Sequence, residues 1–188
     1  AVLADGARRT IVPIPNGFDA DDLAGPPPVR EADDRGVFRI VHTGYLHTEL
    51  GLALRSRPAW QRRLGGTVPG LDILTRSHVF LLQAVEQVLA AEPDGPAIEV
   101  VLAGVLSPTD REIGQRYPFV RMTGYVPHDE AVRLVRGADL LFLPMHDLPE
   151  GVRASIVPGK TYEYVASGRP ILAAVPEGDA RDILAAAG

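Results

Sequence analysis

From residue 37 onward, short, mainly apolar runs take turns with stretches in which apolar residues recur every three or four positions. The runs cover residues 37–43, 98–103, 119–123, 139–145 and 171–175, and each is bounded by Gly or Pro, as strands are. The last of them has no polar residue, which predicts a strand covered on both faces. Between the runs the spacing is helical. Residues 78–91 place Leu81, Val85, Val88 and Leu89 on one face and stop at Pro93. A shorter, more polar helix is predicted over 109–117. Another, over 129–136, opens with Asp129 and Glu130 and closes with Arg136 and Gly137, as the helix dipole prefers. A last short helix over 160–167 carries Tyr162, Val165 and Ala166 at the spacing of a buried stripe, and Gly168 and Pro170 end it. Strand and helix alternate without an internal repeat. That order predicts an α/β fold: a doubly wound, mainly parallel sheet with helices on both faces and right-handed crossovers.

The first 36 residues read differently. Residues 10–15 form a short apolar strand, Asn16 and Gly17 a turn, and Asp19 caps a short helix running through Leu23. Residues 25–35, with three consecutive prolines and a cluster of acids, read as a linker. The expected division is a segment and linker over 1–36 and a body over 37–188. Because the chain opens without Met and stops inside a helical pattern, it is expected to be one domain of a longer protein.

Composition narrows the function. Of 188 residues, 46% are hydrophobic and 23% charged, enough apolar material for a core. A net charge of -5 argues against a nucleic-acid partner, which would demand a basic surface. With no Cys, thiolate metal sites and disulfides are excluded, and a reducing, cytoplasmic setting fits. No apolar run is long enough to span a bilayer.

Candidate chemistry gathers at strand ends. Gly44, Gly104 and Gly124 each close a predicted strand, and in an open parallel sheet ligands bind outside the carboxyl ends. A residue without a side chain there lets backbone approach a phosphate or a base, although Gly is also common in ordinary turns. The helix over 160–167 aligns Lys160, Glu163 and Ser167 on its polar side. Its N-terminus with Lys160 makes an anion site, and Glu163, accepting from two hydroxyls, suits a ribose diol. The plain alternative is a surface ion pair between Lys160 and Glu163.

The stretch PGKTYEYVASGRPILAAV, Pro158 to Val175, resembles the donor-site motif of GT-B retaining glycosyltransferases of family four, where E-x7-E precedes a Gly-x-Pro break and an apolar strand. Glu163, Ala166, Gly168 and Pro170 match its second half; Ser155 stands where the first Glu is usual. GYVPHDEAVRLVRGADLLFLP, Gly124 to Pro144, and the upstream VPIPNGFD resemble the same family. The resemblance implies a Rossmann-like half of a GT-B fold that binds a nucleoside diphosphate sugar, with the acceptor domain elsewhere in the chain. It implies that Arg76 and Lys160 act on the donor diphosphate as the catalytic pair, that the backbone at Tyr125 and Val126 meets the base, and that Ser155 lies at the sugar. Tyr125 as a half-buried packing residue, Arg76 as an ordinary surface Arg, and His128 as an exposed helix-start residue are the alternatives.

Residues 45–75 are long for a connection between a strand and its helix, and carry Arg55, Arg57, Arg62 and Arg63 among Leu52, Leu54, Trp60 and Leu64. A mobile lid over the donor and a basic amphipathic patch touching anionic lipid both fit, the second placing the protein peripherally at the inner face of the membrane. Residues 146–157 form a second long loop leading into the motif. No His cluster or carboxylate spacing points to a metal, and no cofactor beyond the donor substrate is expected. A GT-B nucleotide-sugar epimerase and a non-catalytic α/β interaction domain are the competing functional readings.

Overall fold

The computed structural model describes residues 16–26, 28, 36–58, 60–61 and 68–188. The strand expected over 10–15, most of the linker, and Arg62, Arg63 and Leu64 lie outside the described residues. Five strands form one sheet: β1 (Val37–Thr43), β2 (Ala97–Ala103), β3 (Val120–Gly124), β4 (Leu140–Pro144) and β5 (Ile171–Ala174), within a residue or two of the predicted runs. All pairings are parallel and the spatial order is β3-β2-β1-β4-β5. Helices α1 (Thr48–Arg55), α2 (Val79–Ala91), α3 (Pro108–Gly114), α4 (His128–Arg136), α5 (Lys160–Ala166) and α6 (Asp179–Ala187) connect and follow them.

Alternation along the strands divides the core into two layers. Ile40, Val100, Leu102 and Phe142 face one way and pack with Leu81, Leu82 and Val85 of α2. Val41, Val101, Leu141 and Leu143 face the other way and meet Val135 of α4 and Tyr164 of α5. Helices thus cover both faces, as the doubly wound reading requires. Burying one such Leu or Val stabilises the fold by about 1.5–3 kcal/mol.

Three expectations are corrected. β5 is the sheet's edge and is not covered on both faces: Leu172, Ala173 and Ala174 are exposed. On α2 the buried set is Leu81, Leu82 and Val85, with Leu89 packed against the same cluster, while Val88 is turned to solvent. On α5 the buried pair is Thr161 and Tyr164, not Tyr162, Val165 and Ala166. The polar end of Tyr164 finds partners on β1, so an aromatic residue that reads as a surface position from spacing is drawn under the sheet's rim.

Candidate functional site

The chain winds from β1 through β2 to β3, then returns to the other side of β1 for β4 and β5. The topological switch point therefore lies between β1 and β4, and the crevice outside the carboxyl ends there is where such sheets bind ligands. The two strands pair only at Ile40 with Leu140 and Val41 with Leu141, whereas β1 and β2 stay in register through Thr43 and Ala103. Beyond Val41 the strands part, and side chains take the place of the ladder. His42 Nδ1 donates to the Phe142 carbonyl at 2.9 Å, and the Thr43 N–H donates to the Tyr164 hydroxyl at 3.0 Å. Burial raises the Tyr164 hydroxyl to about 12, so it stays protonated and can donate in turn to Thr43 Oγ1, 3.1 Å away.

The three strand-closing glycines form a continuous rim beside this crevice. Gly44 N–H donates to the Ala103 carbonyl at 2.7 Å, and Gly104 N–H to the Gly124 carbonyl at 2.8 Å. Gly44 and Gly104 have φ of 112° and 135°, which side-chain-bearing residues rarely adopt. Space forbids a side chain as well: a Cβ on Gly104 would lie 2.6 Å from the Gly44 carbonyl oxygen, and one on Gly44 would lie 2.6 Å from Lys160 Nζ.

Lys160 reaches that rim from the first turn of α5, and its ammonium donates to the Thr43 carbonyl. Burial, then the charge of Arg76, lowers its pKa to about 8, against a smaller opposing pull from Glu163. Arg76, in the loop before α2, is depressed by its own burial, and its charge also acts on His42, His47 and His146. Neither Lys160 nor Arg76 has a carboxylate within ion-pair distance among the described residues. The helix N-terminus contributes less than its sequence implies. α5 has seven residues, and two of its leading N–H groups are taken within the turn, Thr161 by the Pro158 carbonyl and Tyr162 by that of Gly159.

His47 and His146 were missed from sequence. Ninety-nine positions apart, they follow β1 and β4 respectively, and the switch point brings His47 Nδ1 to 2.6 Å from His146 Nε2. The expectation that no His cluster exists is corrected to this extent: two imidazoles meet, but no group of three or more metal-ligating side chains does among the described residues. A signal was present, since each His lies within a few residues of a predicted strand's carboxyl end.

The two long loops are stapled together there. Asp72 and Asp147 exchange backbone hydrogen bonds of 3.0 and 3.1 Å, and Thr75 Oγ1 donates to the Met145 carbonyl at 2.9 Å. Residues 45–75 hold α1, whose Gly51 packs so closely on Leu74 that a Cβ would come within 2.5 Å of its Cα. Arg55 pairs with Asp72 and lies over the Phe80 ring at 5.3 Å, so it belongs to the body and not to a free basic patch. Arg57 and Trp60 are exposed.

On the other side of Lys160 is a cleft lined by Phe18, Asp22, Leu23, Thr43, His128 and Glu163. Its outer wall is the segment before β1, a single 3-10 turn (Asp21–Leu23) begun by the Asp19 carboxylate accepting from Asp21 N–H. That segment is held on α4: His128 Nε2 lies 2.7 Å from Asp22 Oδ2, and Arg136 donates to the carbonyls of Ala24, Gly25 and Pro26. The hydrogen bond to Asp22 raises the His128 pKa, so His128 is exposed yet engaged.

Gly44, Gly104, Lys160 and Glu163 thus gather around the switch point, with Arg76 within electrostatic reach. Tyr125 and Val126 follow β3 at the far end of the rim; the Tyr125 ring is 80% exposed, which removes the packing alternative. Ser155 is exposed in the loop before α5, next to Ala154, whose N–H donates to the Glu177 carbonyl and whose own carbonyl accepts from Asp179 N–H. This anchors it beyond the carboxyl end of β5, at the sheet's edge. Among the described residues no helix is long and apolar enough to cross a membrane.

A parallel sheet wound both ways from β1, with its ligand crevice at the carboxyl rim, makes this a Rossmann-like α/β domain. Residues 71–187 match the profile of the glycosyl transferases group 1 family, and the chain belongs to that family, with its GT-B architecture. Among solved structures it is similar to a putative UDP-N-acetylglucosamine 2-epimerase from Listeria monocytogenes, at 14% identity and a TM-score of 0.42, over 74% of this chain and 28% of that one. The chain therefore spans under a third of that protein's length. No curated protein sequence matches it.

Proposed function

We propose that residues 37–188 are the donor-binding half of a retaining glycosyltransferase, which takes a nucleoside diphosphate sugar at the switch point while residues 1–36 lead in from an acceptor-binding domain. The observation that carries this reading is the pair of half-buried cations, Arg76 and Lys160, that repel one another with no carboxylate paired to either among the described residues. Such an arrangement is costly in the empty protein and favourable once an anion enters. Breaking the anomeric bond leaves its electron pair on the β-phosphate, so these cations would stabilise the leaving group as charge develops, with no side chain at Gly44 or Gly104 to keep it from them. Arg76 supplies a planar fork for two phosphate oxygens, and Lys160 a point charge.

Glu163, facing the cleft beside Thr43, is the group for the ribose hydroxyls. In this reading the exposed backbone turn at Tyr125 and Val126 meets the base, and Ser155 borders the sugar. The protein acts in the cytoplasm, with Arg57 and Trp60 of the 45–75 segment available for contact with the inner face of the membrane.

Titration of the 188-residue chain with UDP and GDP tests the reading. Saturable binding of at least one nucleotide is expected, weakened about 100-fold by Glu163→Ala, the cost of losing two hydrogen bonds to a charged acceptor. Pyrophosphate affinity should be unchanged by that substitution. Absence of saturable binding would favour an interaction domain, and turnover of a nucleotide sugar without acceptor by the full-length protein would favour an epimerase.

A further inference from the structure

The cations are not the only groups at the switch point that could answer an anion. His47 and His146 face each other with ring centroids 4.7 Å apart, and the backbone at or beside each is anchored by hydrogen bonds. His47 N–H donates to the Arg76 carbonyl at 2.9 Å, and its ring meets the Tyr45 ring edge-on at 5.1 Å. His146 sits between Met145, whose N–H donates to the Ala174 carbonyl, and Asp147, whose N–H donates to Thr75 Oγ1 at 2.7 Å.

Two imidazole nitrogens in hydrogen-bond contact share one proton, so one ring donates and the other accepts. The outer nitrogens, His47 Nε2 and His146 Nδ1, have no hydrogen-bond partner among the described residues. In the neutral pair one outer nitrogen carries a proton and the other a lone pair. One added proton makes both of them donors, the form that suits phosphate oxygens.

We propose that the His47–His146 pair is part of the anion site, taking up one proton as a diphosphate binds and presenting both outer nitrogens to its oxygens as donors. The inference rests on the reading of the rim as a diphosphate site and adds to it two residues and a proton. Without an anion, burial and the Arg76 charge hold both imidazoles below their ordinary value, His146 at about 4 with His47 contributing, so the empty pair is neutral. The acids nearby do not offset this. Asp72 is engaged by Arg55, and Asp147 Oδ1 accepts from Leu148 N–H at 3.0 Å. Glu163 acts on Lys160, while Lys160 and Arg76 both act on the buried His42. Tyr45, edge-on to the His47 ring, adds no carboxylate. An entering diphosphate reverses the local potential and raises both imidazoles.

The test is nitrogen-15 NMR of the His-labelled 188-residue chain, titrated in pH with and without pyrophosphate. For the pair to hold its extra proton at pH 6 when saturated, its imidazole titration should rise by about two pH units or more, to above pH 6. His47→Asn and His146→Gln, which each keep a polar atom near the lost inner nitrogen, should weaken pyrophosphate about three- to tenfold at pH 6, an effect that fades toward pH 8. Saturable pyrophosphate binding with unmoved His signals overturns this inference and leaves the diphosphate reading standing. Absence of pyrophosphate binding overturns both.

Discussion

The two ends of the same sheet treat charge in opposite ways. Near the amino ends of the strands, Arg39 of β1, Glu99 of β2 and Arg121 of β3 form a chain of ion pairs at 2.6 and 2.7 Å, and the Asp139 carboxylate accepts from the Arg39 N–H at 2.8 Å. Burial raises the Glu99 carboxyl, but hydrogen bonds from Arg121 and Arg39 outweigh it and hold the group below its usual range. At the carboxyl rim Arg76 and Lys160 stand near one another, and two imidazoles stay neutral beside them. A satisfied network serves the fold, whereas cations without a paired carboxylate among the described residues, placed where the strands part, are what the proposed diphosphate would answer.

The comparison breaks most visibly if the rim cations are removed. Arg76→Ala with Lys160→Met should abolish measurable pyrophosphate binding, a loss of at least about 100-fold or ~3 kcal/mol, through two charge-assisted contacts. Its melting temperature should stay close to that of the wild type, because relief of the repulsion between half-buried charges offsets the loss of the Lys160 hydrogen bond to the Thr43 carbonyl. A variant that binds normally would remove the distinction between the two ends.

The opposite outcome is expected at the amino ends. Glu99→Ala leaves Arg39, with a side chain only 12% exposed, and Arg121 without their shared carboxylate. It should destabilise the protein by about 2 kcal/mol in denaturant unfolding and leave pyrophosphate affinity unchanged.

The smallest effect is a pH dependence that sharpens the role of Lys160. Its proton leaves in the folded protein at about 8 but persists in the unfolded chain to the ordinary lysine value, so its charge weighs against folding below pH 8. Raising the pH through 8 relieves that penalty and removes a cation from the rim. Stability relative to Lys160→Met should rise while pyrophosphate affinity falls about tenfold between pH 7.5 and 9, followed by calorimetry. A flat affinity profile would separate Lys160 from the anion.

Much of this was legible in the sequence because it depends on local pattern. Mainly apolar runs and helical spacing fall on the right elements, and glycines that end strands of a parallel sheet must share a rim once the strands are in register. What was not legible depends on the order of strands in space. β5 reads as buried because it is wholly apolar, yet it takes the edge position. The stripe on α5 was misassigned because Tyr164 is drawn under the rim by Thr43, a residue 121 positions away. His47 and His146 look like isolated loop residues until β4 returns to the side of β1. Arg55 shows the reverse error, a charge assigned to a surface patch that its partner, Asp72, holds to the body.

The most direct test of the unpaired rim is a crystal structure of the chain soaked with a nucleoside diphosphate. The account predicts the diphosphate against the Gly44 and Gly104 backbone, within hydrogen-bond reach of Lys160 and Arg76, with the ribose hydroxyls on Glu163. A nucleotide bound elsewhere, or a rim left empty at saturating concentration, would contradict it.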